Sequence, residues 1–210
     1  MNLAAIFHRH NITPRGVIHA GAHEGQECAE YARMGFGEAI LIEANPHVIA
    51  RLCERIRAVV GEGMPAAECV QCAVGEYDGS SVLRVTSYDE SSSLLPLKEH
   101  LRVHPGIVEV EQIPVQVRRI DTLIAEMGKN PADYNFLCID VQGSELNVLR
   151  GATETLRYLD AVQAEISFSE MYAGSAPPYA ILLFMEQQGF AVAGMHVRTD
   201  EQADILWMKR

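Results

Sequence analysis

Along the chain, short apolar runs alternate with longer stretches whose apolar residues recur every three or four positions, the pattern of strands feeding helices. After Pro14 and Gly16, "VIHA" (17–20) reads as a buried strand, and "GQECAEYARM" (25–34) carries helical character up to Gly35 and Gly37. "AILIEA" (39–44) is a second strand. Pro46 suits the first position of the helix "PHVIARLCERIRAVV", which runs to Val60. "AECVQCAVG" (67–75) reads as a third strand. The alternation lapses over 80–120, where "SSVLRVTS", a serine-rich loop and "GIVEVEQIPVQVRRI" predict an insertion of extended segments and loop. It resumes with the strand "NFLCIDV" (135–141), the helix "SELNVLRGATETLRYL" and the strand "AVQAEISF" (161–168). Pro177-Pro178 opens a helix through Gln188. "FAVAGMHV" and "ADILWMKR" are separated only by Arg198 to Gln202, a spacing that predicts an antiparallel hairpin.

Repeated strand–helix units predict an α/β fold, with a mostly parallel sheet covered by helices on both faces. At 210 residues with 48% apolar content, the chain is expected to form one domain spanning 1–210. Right-handed crossovers would bring the loops after strands 17–20, 39–44, 67–74, 135–140 and 161–166 to one edge. Ligands of open α/β sheets bind at that carboxyl edge.

Charge and cysteine usage narrow the partners. A formal charge of −11 argues against nucleic acid or an anionic membrane as the main partner, since both favour a positive surface. No apolar run approaches the roughly 20 residues that span a bilayer, and "MNLAAIFHRHNITPRG" lacks the pattern of a signal peptide. Five scattered cysteines fit a reducing compartment, so the expected location is the cytoplasm.

Candidate chemistry concentrates in "VIHAGAHEGQE" (17–27), where the first strand meets the first helix. Gly21 and Gly25 permit a tight reversal and close approach of backbone to a ligand, and free N–H groups beyond them favour an anionic group. Glu43 ends the second strand, about where an acid takes ribose hydroxyls in nucleotide-binding units. A metal at His19 and His23 is not expected, because their spacing pairs ligands only within a helix and these residues straddle a strand end. His19 is read as a satisfied strand-end histidine or a proton acceptor. Asp140 and Glu165 each end an apolar strand at the same edge, where a carboxylate needs a task or a partner. The competing reading for Asp140 or Ser144 is capping of the following helix. Cys69 and Cys72 sit i, i+3 in one strand and so point to opposite faces, which favours core packing over a redox or zinc pair.

Taken in order, "HAGAHEGQE", "LIEANP", the "SSSL" loop, "RRIDTLI", "IDVQGSELNVLRGA" and "AEISFSEMYAG" resemble the FkbM family of S-adenosylmethionine-dependent methyltransferases, from about residue 16 to the end. The commoner pattern of that family has aspartate at position 19, asparagine at 23 and an acid at 142; the forms in this chain resemble a recurrent branch.

The resemblance implies a Rossmann-like, seven-stranded class I methyltransferase sheet ending in an antiparallel hairpin. It implies S-adenosylmethionine as cofactor, with Gly21, Ala22, His23 and Gly25 around its methionine part and Glu43 on the ribose diol. Cys72 and Ala73 would flank the adenine, and Ser92 or Ser93 would reach the cofactor from the inserted loop. Tyr172 would line the acceptor pocket, and Asp140, Glu165 and His19, in that order, are the candidates to take a proton from a hydroxyl acceptor. The expected reaction is O-methylation of a sugar, glycolipid or secondary metabolite. Two alternatives stay open on the residues alone: an NAD(P)-dependent oxidoreductase, and a methyltransferase-like domain that binds without turnover.

Overall fold

Five central segments are so apolar that they are stable only with both faces covered, and this fixes the layering. The computed structural model of the chain describes residues 1–59 and 66–210. Its elements run α1 (Leu3–Arg9), β1 (Gly16–Ala20), α2 (Cys28–Met34), β2 (Glu38–Glu43), α3 (Ile49–Val59), β3 (Ala66–Gln71), β4 (Ala73–Val74), β5 (Gly79–Thr86) and α4 (His100–Val103). They continue with β6 (Glu109–Arg118), α5 (Ile120–Glu126), β7 (Phe136–Ile139), α6 (Glu145–Arg150), β8 (Ala161–Ser167), α7 (Pro178–Gln187), β9 (Phe190–Val197) and β10 (Gln202–Lys209).

The main sheet has seven strands in the order β3-β2-β1-β7-β8-β10-β9. β1, β2, β3, β7 and β8 pair in parallel, while β10 runs antiparallel to both β8 and β9. One face packs Leu3, Phe7, Tyr31, Leu52 and Ile56, from α1, α2 and α3, over Val17, Leu41, Cys138 and Leu206. The other packs Ile120, Leu123, Leu149, Ile181 and Met185, from α5, α6 and α7, over Ile18, Ile40, Leu137 and Val162. The expected parallel sheet, its two helical layers and its C-terminal hairpin are all present.

Differences from the sequence reading have local causes. The expected strand 67–75 breaks at Cys72: β3 stays in the main sheet, and the chain then crosses to pair Ala73 with Val117. Cys69 accordingly packs against one core and Cys72 lies in the other, as the strand periodicity requires. The extended segments of 80–120 form a second sheet, β4-β6-β5, with its own apolar cluster of Ala73, Leu83, Val85, Val115 and Val117. The helix expected from Pro46 begins at Ile49, because Asn45 Oδ1 takes the His47 amide at 3.0 Å and shapes a turn first. Its expected last residue, Val60, lies outside the described residues. The long helix expected after Ser144 stops at Arg150, and helices α1, α4 and α5 were not anticipated. Among the described residues, no helix is long and apolar enough to cross a membrane.

Gly151, just after α6, meets the turn after β4 at close range. A Cβ there would stand 1.9 Å from the Gly75 carbonyl oxygen, so the end of α6 and the turn after β4 meet backbone to backbone. Gly151→Ala is expected to cost about 2–4 kcal/mol, since no rotamer change relieves a main-chain collision. Thermal unfolding of the variant checks this; an unchanged melting temperature contradicts the packing described.

Candidate functional site

The parallel strands deliver their carboxyl ends to one edge, and the small sheet stands beside that edge as a wall. Between them lies a cavity of about 370 Å³. Its floor and one side come from His19, Gly21, Ala22, His23 and Glu43; Cys72, Ala73, Ser92, Ser93 and Asp140 complete it. Ile42, Ala44, Val74, Leu83 and Leu94 make part of the lining apolar. Three residues singled out from sequence lie elsewhere. Gly25 packs below the loop toward Cys28 and Leu52, Glu165 lines an adjoining cavity of about 180 Å³, and Tyr172 is buried behind Gln142.

The loop after β1 is held by main-chain bonds. Gly21, at φ +78°, and Ala22 both donate to the Ile42 carbonyl oxygen at 2.9 Å, and Gly25 donates to Ala22 at 2.7 Å. His23, at φ +44°, donates its amide to Glu43 Oε2 at 2.9 Å, while Asn45 donates to Oε1 at 2.7 Å. Glu43 is therefore fixed at the end of β2 with one amide on each oxygen, and each oxygen keeps a lone pair for a hydroxyl. Burial pushes its carboxyl up, and the two amides oppose that. The His23 ring bridges to the far wall, with Nε2 3.2 Å from Asp89 Oδ1 and Nδ1 2.9 Å from Gln26. Arg51 ties the same Asp89 at 2.5 Å and Glu24 at 2.6 Å, closing that side of the mouth.

His19 is buried on β1, with Nδ1 3.2 Å from the Tyr31 hydroxyl. Burial lowers its pKa and so favours the neutral ring, and the Glu27 charge opposes that.

A row of carboxylates crosses the sheet beside it. β8 and β10 set Glu165 opposite Asp204, and Asp140 follows β7, the other neighbour of β8. Arg198, from the turn between β9 and β10, reaches over all three: Nη1 is 3.0 Å from Glu165 and 3.6 Å from Asp140, and Nε is 2.9 Å from Asp204. Burial pushes both the Asp140 and Glu165 carboxyls up, Asp140 to about 6 and Glu165 to about 9; the Asp140 charge adds to the cost at Glu165, and the Asp204 charge adds to the cost at both. The N–H donors of Arg198, Gln142 and Gln202 around them act in the opposite direction. Neither Asp140 nor Ser144 caps α6; Glu145 instead accepts from the Gly143 amide at 2.9 Å.

The serine loop is anchored to this row. Ser93 Oγ donates to the Gln142 carbonyl oxygen at 2.7 Å, and Ser92 Oγ accepts from Thr86 N at 3.2 Å. The Tyr172 hydroxyl stands 2.7 Å from Gln142 Oε1. Arg198, Asp204 and Gln142 escaped the sequence reading as site residues. Arg198 and Asp204 flank a hairpin turn and look like ordinary surface charge, and position 142 stood out only as a departure from the family pattern, with no role given to Gln142.

A family model described as the methyltransferase FkbM domain matches residues 19–192. The 2-O-methyltransferase NoeI of Sinorhizobium fredii is 35% identical over 95 residues, which cover 45% of this chain and 38% of that protein, so the chain spans well under half the length of this curated relative. Among solved structures, the magnesium protoporphyrin IX methyltransferase of Synechocystis PCC 6803 with bound S-adenosylmethionine aligns at TM-score 0.52 and 11% identity, covering 99% of this chain and 76% of that one. The precorrin-6y C5,15-methyltransferase of Geobacter metallireducens aligns at TM-score 0.52 and 10% identity, covering 99% and 87%. At such identities the likeness shows the shared fold. The family model covers most of the chain, including every cavity-lining residue but Arg198, and the chain belongs to the methyltransferase FkbM family.

Proposed function

We propose that the protein transfers a methyl group from S-adenosylmethionine to a hydroxyl of a small-molecule or carbohydrate acceptor. The observation that carries this is a single cavity combining a fixed ribose-type acid, an apolar wall and an ion-paired carboxylate at the carboxyl ends of parallel strands. The donor set suits the cofactor. Glu43 offers two oriented acceptors to a diol, Cys72 and Ala73 with Val74 and Leu83 offer an apolar surface to a base, and Asp140 offers negative charge to a cation. When bound, the cofactor supplies an electrophilic methyl on a sulfonium.

The chain's own residues would do the rest. The turn from Gly21 to His23, with Glu43, would hold the cofactor, so that reaction geometry is set by binding. Asp140, on the cavity wall with a carboxyl raised to about 6, is placed to take the acceptor's proton; Glu165 supports it from the adjoining cavity. His19 is the weaker base, since its Nδ1 is engaged by Tyr31 within the core. An O-methyl product agrees with the name of the Sinorhizobium relative, and the acidic chain favours a neutral or cationic acceptor over a polyanion. Five free cysteines support a reducing, cytoplasmic setting.

Isothermal calorimetry with S-adenosylhomocysteine is expected to show binding by the wild type and a loss of about tenfold or more in Glu43→Ala, about 1.4 kcal/mol. Heat from NAD but none from S-adenosylhomocysteine would contradict the reading. With an acceptor in hand from a labelled-methyl screen, the rate should fall as pH drops through about 6, because the proton acceptor must be ionised. Asp140→Asn should bind S-adenosylhomocysteine as the wild type does and lose turnover by about 100-fold or more. A rate unchanged in that variant would remove Asp140 from the assignment.

A further inference from the structure

Gln142 occupies an unusual position for an uncharged side chain. Its backbone sits at φ +55°, left-handed, immediately before Gly143 at φ +104°. That conformation is strained for a non-glycine residue, so the surrounding contacts must hold it. They do: the Ser93 hydroxyl takes its carbonyl oxygen at 2.7 Å. The side chain then reaches both acids. Nε2 lies 2.7 Å from Asp140 Oδ1 and 3.1 Å from Glu165 Oε2, one acceptor for each of its two hydrogens. Oε1 faces the Tyr172 hydroxyl at 2.7 Å, and an amide oxygen can only accept, so Tyr172 donates to it. With the acids ionised, the reverse amide orientation would set oxygen against two carboxylates, which assigns the amide nitrogen to them. Tyr172 is fully buried and its hydroxyl is also 3.1 Å from the Ser91 carbonyl oxygen, so the anchor does not move freely.

We propose that Gln142 is the positioning residue of the site: clamped by Tyr172 and Ser93, its amide orients Asp140 and Glu165 together and favours their ionised forms. The function of this clamp rests on the reading of Asp140 as proton acceptor; its electrostatics do not.

Every charged or titratable group facing the pair enters the balance. Arg198, from the turn before β10, stabilises both anions; Asp204 on β10, Glu27 at the start of α2 and Glu145 on α6 oppose them; Cys138 on β7 and Tyr172, both raised by burial, and His19 on β1, lowered by burial, also face the pair. One guanidinium over three carboxylates leaves the row short of donors, and the Gln142 amide adds two. Hydrogen bonds to the charged form favour ionisation, so their loss raises the titration midpoints.

The test is a ¹³C-carboxyl NMR titration of Asp140 and Glu165 in the wild type, Gln142→Met and Tyr172→Phe, with S-adenosylhomocysteine calorimetry on the wild type. Gln142→Met should raise the Asp140 midpoint by about one unit, and Glu165 should move the same way. Tyr172→Phe, which frees the amide without removing it, should give a smaller rise in the same direction; if Gln142→Met fails to fold, this variant decides. Midpoints unchanged in the folded variants would overturn the clamp, whatever the calorimetry shows. Shifted midpoints in a protein that binds no S-adenosylhomocysteine would uphold the clamp and overturn the methyl-transfer reading.

Discussion

A side chain at position 21 would place its Cβ 1.8 Å from the Asp140 carbonyl oxygen. The chain leaving β1 therefore passes directly against the chain leaving β7, and only glycine allows it, both for the approach and for φ +78°. The same short stretch ties three strands: Gly21 and Ala22 donate to Ile42 at the end of β2, and Asp140 donates to Ala20 at the end of β1, all at 2.9 Å. Glu43 and Asp140, 97 positions apart in sequence, become opposite walls of one cavity because of that junction. The remaining wall is the small sheet, brought over the edge by the break in the chain at Cys72.

The second feature of the site is an excess of negative charge held out of water. Asp140, Glu165 and Asp204 share Arg198, and Glu165 and Asp204 are each only 6% exposed. Removing carboxylates from water is costly unless charge and hydrogen bonds replace the solvent, and a single guanidinium does so incompletely. Burial accordingly drives the Asp140 carboxyl up to about 6, where a proton can be exchanged near neutral pH, and the Glu165 carboxyl higher still. The same imbalance favours a cation beside Asp140, which suits a sulfonium donor better than an anionic ligand.

Much of this architecture was legible in the sequence because it depends on local patterns. Runs such as "NFLCIDV" and "AVQAEI" are too apolar for anything but a covered strand, and the five residues between the last two strands are too few for a crossover. Glu43 and Asp140 were visible as acids ending such runs. What escaped depends on long-range contacts. Arg198 meets Glu165 across 33 positions, and Tyr172 meets Gln142 across 30, with no local pattern to announce either. Tyr172 was expected on the cavity wall because its loop lies at the right edge; its ring is instead buried, and its hydroxyl is used on Gln142. Ser92 and Ser93 reach the cavity, yet both hydroxyls also hold their own loop in place. The short helix α1 escaped because its apolar face, Leu3 and Phe7, has meaning only against the sheet.

The junction of β1, β2 and β7 is the proposed seat of an adenosyl amino acid. A crystal structure grown in excess S-adenosylhomocysteine tests it most directly. The account predicts the ribose hydroxyls on Glu43, the base beside Cys72 and Ala73, and the sulfur on the side of the cavity where Asp140 lies. Density for the compound at any other surface, with this cavity filled only by solvent, would contradict it.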